Sequence, residues 1–178
     1  MEGELQLKFS FRSDLYFLTF LFARGRTFKT LPGWLLFIGG AQGAFARRAD
    51  MREAAKLNGE ISPVTMLLIA IRELANVLSL NGVMVVAEDE QVAMGYAPER
   101  IKLNYRELWT DAGGVRDGQF YHLPSRAGEK PLSETPSTHR ARTRRKRAAK
   151  QEIREAIEAR IKKLLHAGPL AHDVESGG

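Results

Sequence analysis

The residues of this chain best suited to hold a ligand lie in Leu35-Leu36-Phe37-Ile38-Gly39-Gly40-Ala41-Gln42-Gly43, where four large apolar residues run into three glycines and one amide. Glycine adopts positive φ and lets a second backbone or a ligand come close. The C-terminal end of a buried strand is also where open α/β sheets present their binding loops. Gly39, Gly40, Gln42 and Gly43 are therefore candidate ligand-binding residues, and the competing reading is a tight turn with a close packing contact. Other chemistry is thin. Glu88-Asp89-Glu90 invites a metal, but consecutive residues point in different directions, so a solvated loop or helix start fits better. His122, His139, His166 and His172 fall in four different settings with no ligand spacing between any two. With no cysteine, disulfides, thiol nucleophiles and thiolate zinc sites are excluded together, which fits a reducing compartment.

The elements around the glycine stretch follow from periodicity. Leu5 to Arg12 alternates with period two and predicts a half-buried strand. Tyr16 to Phe22 is a dense aromatic and aliphatic run, predicting a strand covered on both sides. Arg24-Gly25-Arg26 predicts a turn and Trp34 to Ile38 the next strand, ended by the glycines. Arg47 to Leu57 has helical composition but patchy periodicity and predicts a short helix ending at Asn58-Gly59. Ser62-Pro63 then opens a strong one, since serine caps helix starts and proline suits the first turn. Its Met66, Leu67, Ala70, Ile71, Leu74, Ala75 and Leu78 form an apolar stripe for a sheet, and Asn81-Gly82 stops it. Val83 to Ala87 predicts a buried strand, reached by a right-handed crossover and parallel to its neighbour. Tyr105 and Trp109 share one helical face, Ala112-Gly113-Gly114 is a turn, and Asp117-Gly118 begins a last strand ending at Pro124.

Residues 1–124 thus read as an α/β core, 125–136 as a Pro/Gly/Ser-rich linker, 137–166 as a basic amphipathic helix and 167–178 as a disordered tail. The helix carries the chain's charge. Of 27 Lys+Arg and 21 Asp+Glu, Ser137 to His166 holds 11 and 3, leaving 16 basic and 18 acidic residues in a nearly neutral remainder. Arg140, Arg142, Arg144, Arg145 and Arg147 are candidate contacts for an anion, RNA or an anionic membrane surface. No aromatic residue is interleaved to stack on bases, and a solvated face, or one docked on the body, is the simpler reading. No run reaches the roughly 18 apolar residues of a membrane span and the acidic start does not resemble a secretory signal, so the expected location is the cytoplasm.

The ordered set Leu18-Thr19-Phe20, Ile38-Gly39-Gly40-x-Gln42-Gly43, a Pro-led Leu-rich helix, Val85-Val86, Tyr105-x3-Trp109-x3-Gly113-Gly114, Asp117-Gly118-x-Phe120-x2-Leu123-Pro124 and Pro136-Ser137-x2-Arg140-x3-Arg144-Arg145 resembles the VirK/YbjX family of bacterial proteins, over roughly residues 15–150. The resemblance implies an accessory protein linked to virulence, the cell envelope or stress tolerance, with no established reaction. Members usually read Gly-Gly-Leu-Gln-Gly where this chain has Ala41. They end a segment in Gly-Leu-Arg-Pro where it has Gly59-Glu60-Ile61-Ser62-Pro63. They show Ser-Asn and a His where Ala87, Glu88 and Gln91 stand. They are also generally longer at the N-terminus, which implies a shortened or divergent copy.

The element order is similar to that of GNAT-type acyltransferases. That likeness implies an acyl-coenzyme A cofactor whose pyrophosphate meets the helix start at Gly59 to Val64, adding Gly59 and Ser62 to the ligand-binding set. It further implies Tyr105, or less favourably Tyr96, as the acid for a leaving thiolate. Acidic Glu60 is a poor neighbour for a pyrophosphate. The expected protein is α/β (α+β), a central mixed sheet with packed helices and a basic C-terminal helix. Its expected roles are a ligand- or partner-binding accessory protein, an N-acyltransferase, or an RNA- or membrane-binding module.

Overall fold

The computed structural model describes residues 4–29, 32–44, 47–90, 104–126, 128–129 and 131–167. Six strands, β1 (Leu5–Phe11), β2 (Ser13–Arg24), β3 (Trp34–Gly43), β4 (Val83–Val86), β5 (Val115–Asp117) and β6 (Phe120–Leu123), form one sheet in the order β1-β2-β3-β4-β6-β5. Four α-helices accompany them among the described residues: α1 (Arg48–Leu57), α2 (Pro63–Val77), α3 (Tyr105–Asp111) and α4 (Ser137–His166). The fold is therefore mixed α/β, as expected from the sequence. β3 and β4 are the parallel pair, joined through α1 and α2, and every other neighbouring pair is antiparallel.

Alternation of side chains puts Leu18 and Phe20 of β2, Leu36 and Ile38 of β3, Val83 and Val85 of β4, and Tyr121 and Leu123 of β6 into one buried cluster. Leu67, Leu68, Ile71 and Ala75 of α2 and Trp109 of α3 complete it. Trp109 is fully enclosed. α2 begins as its sequence dictates: Ser62 Oγ accepts the Thr65 N–H at 3.4 Å, and Pro63 opens the first turn. The helix is buried more widely than a single stripe requires, with Ile69, Arg72 and Glu73 enclosed as well, because α4 lies across the side of α2 that faces away from the sheet. On the other face of the sheet, Phe28 stacks on Phe37 with centroids 4.8 Å apart and meets Phe120 edge-on at 5.2 Å.

Two expectations need correction. The glycines do not end the third strand, which runs through Gly43. β2 continues far enough to pair Tyr16 with Gly43 and Thr19 with Gly40, while a register shift at Thr19/Phe20 leaves Gly39 as an extra residue on β3. A glycine bulge bends a strand without breaking its ladder. The last strand, expected over Gln119 to Leu123, is present as β6, but Asp117 before it belongs to an unexpected further strand. Gly118, at φ +56°, sits in the turn of a hairpin whose first arm, Val115–Asp117, is wholly exposed and so lacks the alternation that betrays a strand.

Candidate functional site

β3 and β4 stay paired only from Leu36–Val83 to Ile38–Val85. Beyond that point β4 passes into a short 3-10 turn at Glu88–Glu90, whereas β3 carries on to Gly43. Among the described residues the ladder between the two strands therefore stops where the glycines begin. Tyr105 reaches this place from the first turn of α3, which Asn104 caps by accepting the Glu107 N–H at 3.1 Å. Its hydroxyl donates to the carbonyl oxygen of Ala41 at 2.5 Å, and its ring lies 5.8 Å from that of Trp109. Tyr105 is thus bonded to the backbone of the glycine stretch at Ala41, the residue between Gly40 and Gln42.

The glycines divide into two kinds. A Cβ built on Gly43 would lie 2.8 Å from the ring of Tyr16, so this glycine is a packing residue. A Cβ on Gly39 or Gly40 would meet no heavy atom of the described residues within 4 Å, so packing among those residues explains neither. Gln42 is exposed. Tyr16 is buried, and no hydrogen-bond partner for its hydroxyl is found among the described residues. Burial, and secondarily the neighbouring Tyr105, pushes its phenol well above the ordinary tyrosine value.

Gly59 and Ser62 stand at the start of α2. That helix leads back into β4, with Asn81 N–H donating to Trp34 O at 2.8 Å, so its first turn belongs to the end of the sheet where β3 and β4 finish. Gly59 and Glu60 both take positive φ, +65° and +64°. Glu60 is held by Arg142 of α4 at 2.5 Å, and this hydrogen bond draws its carboxyl below the usual range.

The arginines of α4 are partly engaged with the body. Arg142 pairs with Glu60, Arg147 lies 2.9 Å from Glu129, and Arg140 donates to the carbonyls of Thr135 and Ser133 at 2.9 and 3.4 Å. Arg144 and Arg145 are exposed. The acidic Glu88-Asp89-Glu90 turn also has cationic partners. Arg106 donates to Glu88 at 2.6 Å, and Arg116 donates to both oxygens of Asp89 at 2.9 and 2.7 Å. Burial opposes ionisation of Glu88, but its own backbone hydrogen bond together with Arg106 and Tyr121 draws the carboxyl down; Asp89 is lowered chiefly by Arg116. No group of three or more metal-binding side chains occurs among the described residues. Tyr96 and Gln91 lie outside them.

Sequence reasoning missed Arg72, Glu73, Lys150 and Arg154, which meet between α2 and α4. The signal was a charged pair, Arg72-Glu73, set inside the most apolar helix of the chain.

These features define a mixed α/β protein with a bulged, glycine-rich strand end faced by a tyrosine. A family model described as a protein of unknown function, DUF535, matches residues 1–159, and the chain belongs to that family. No curated protein and no solved structure matches it. No described helix is long and apolar enough to cross a membrane.

Proposed function

We propose that this DUF535 protein is of the VirK/YbjX type and that its glycine-rich sheet end binds an acyl-coenzyme A for transfer of the acyl group to an amine, as GNAT-type enzymes do. One observation carries the reading: the parallel pair β3/β4 comes apart at a glycine bulge, and a tyrosine hydroxyl sits in the gap. Among the described residues β3 has no strand beside it on the β4 side beyond Ile38, and an extended, amide-bearing arm would join it there as an added strand. A Cβ on Gly39 or Gly40 meets no heavy atom among the described residues within 4 Å, which leaves room for a ligand's approach. A bound acyl-coenzyme A would supply the thioester to be attacked by the amine, and Tyr105 would be the residue to give a proton to the departing thiolate and regain one, through solvent, from the amine. The fold alone does not fix this activity; the placement of Tyr105 is what favours it.

Calorimetric titration with acetyl-coenzyme A tests the reading. Binding is expected in the wild type and in Tyr105→Phe. Gly40→Val, which the open space tolerates, is expected to abolish it. No heat at millimolar cofactor, or equal binding by Gly40→Val, overturns the proposal. The second reading, a contact with RNA or an anionic membrane through Arg140, Arg142, Arg144, Arg145 and Arg147, is favoured by the exposure of Arg144 and Arg145. Its footprint is reduced by the partners that Arg140, Arg142 and Arg147 already have. It requires binding that weakens steeply with salt and survives Gly40→Val.

A further inference from the structure

A cavity of about 310 Å³ opens between the outer side of α2, the end of α3 and α4, lined among others by Ser62, Thr65, Arg72, Lys150 and Arg154. Arg72 is 6% exposed, so its guanidinium is nearly withdrawn from water. Nη2 donates to the carbonyl of Ala112 at 2.6 Å, but Nε has no partner among the described residues. Burying a guanidinium is costly; Glu73 offsets part of that cost for Arg72 and Glu129 acts likewise on Lys150, but both carboxylates are shared with other arginines. Glu73 Oε1 lies 3.1 Å from Arg154 Nε, an ion pair whose angle falls short of a hydrogen bond. Glu129 pairs with Arg147 at 2.9 Å. Asp111 lies at the exposed rim.

We propose that this cavity is a binding site for a small oxyanion of the phosphate class, held by Arg72 from α2 and Lys150 from α4. A doubly charged oxygen acid offers acceptors to the unpartnered Nε of Arg72 and to the Lys150 ammonium together, which one water molecule cannot neutralise. The hydroxyls of Ser62 and Thr65 are hydrogen-bonded to each other at 2.8 Å at the start of α2, which leaves one hydroxyl proton as a neutral donor at the same wall. Both cations are disfavoured when the cavity holds no anion. Burial, and secondarily Arg154, brings Arg72 down to about 10, and burial followed by Lys146 lowers Lys150. A bound anion reverses both effects and ties α4 to α2. The cavity shares Ser62, at the start of α2, with the acyl-transfer reading, but its cations, Arg72 and Lys150, play no part in that reading.

The probe is inorganic phosphate, followed by calorimetry and by thermal unfolding against chloride at equal ionic strength. Wild type is expected to bind saturably and to melt higher in phosphate. Lys150→Gln is expected to bind at least about tenfold more weakly, a loss of roughly 1.4 kcal/mol. Arg145→Gln, which removes an exposed charge from the same helix, is expected to bind as wild type does. Arg72→Leu should abolish binding if it folds, and Lys150→Gln decides the matter if it does not. Absence of saturable binding at about 10 mM phosphate, where a 1 mM site would be about nine-tenths filled, overturns the proposal. So does an equal loss in Arg145→Gln and Lys150→Gln, which marks general attraction to a basic helix.

Discussion

Replacing Gly43 by alanine should destabilise the protein, whereas replacing Gly40 should not. At Gly43 the added methyl would lie 2.8 and 3.1 Å from Cε2 and Cδ2 of Tyr16 and 3.4 Å from Cε of Met51. The methionine end can swing away. The tyrosine ring is buried at 6% exposure in the main core and cannot retreat by the half ångström or more that the contact demands without displacing its neighbours. Overpacking of this kind costs about 1–3 kcal/mol, against a gain of about 0.4–1 kcal/mol from the stiffer unfolded chain. The net loss is about 1–2 kcal/mol, or roughly 3–6 °C in melting temperature for a domain of this size. Gly40→Ala meets nothing within 4 Å among the described residues, keeps only the unfolded-state gain, and should melt at or slightly above wild type. Urea and thermal unfolding of both variants measure the difference directly. Tyr16→Leu combined with Gly43→Ala should recover much of the loss, giving a coupling energy of about 0.5–3 kcal/mol. Equal stability of the two alanine variants, or additivity in the double variant, would refute the division of these glycines into a packing residue and open ones.

Further outcomes follow from the core and its charges. Tyr16→Phe should cost under about 1 kcal/mol, because its hydroxyl has no hydrogen-bond partner to lose among the described residues. It should also flatten the alkaline limb of the stability profile: the folded phenol value is raised, so the contribution of Tyr16 is complete below pH 10 and lost as pH climbs beyond it. Glu88 and Asp89 act in the opposite direction. Their folded values lie below the ordinary 4.5 and 3.8, so the stability they confer is present above those values and fades as pH falls through the folded ones, and Arg116→Gln should shrink that acid-side slope. Trp109→Ala, at a fully enclosed site, should cost about 3–5 kcal/mol by urea denaturation. Arg154→Leu leaves Glu73, 4% exposed, without its cation and should cost about 3 kcal/mol, much of it returned by adding Glu73→Leu.

Period-two and period-four patterns were enough to mark β1, β2, α2 and α4, because each is written in consecutive residues. Ser62-Pro63 sets the start of α2 by chemistry confined to one turn; the basic helix from Ser137 to His166 has no side-chain cap and is marked by its composition. The fate of the glycines was not local in this sense. Whether Gly39–Gly43 ends a strand or extends it depends on how far β2 runs alongside, and the bulge that admits Gly39 exists only between two strands. The meaning of Arg72 and Glu73 was still less accessible. On the helix alone they look like an interruption of an apolar stripe, and only α4, about eighty residues further on, turns them into a buried charge pair beside a cavity. The same helix decides the reading of Glu60. The sequence sets an acidic residue against an anion-binding helix start, yet Arg142 holds that carboxylate at the surface. A helix that looks from composition like a separate basic arm is therefore part of the body's electrostatics. Its arginines cannot all be counted as free for an external partner, and its removal would expose Arg72 and Glu73 together with the outer side of α2.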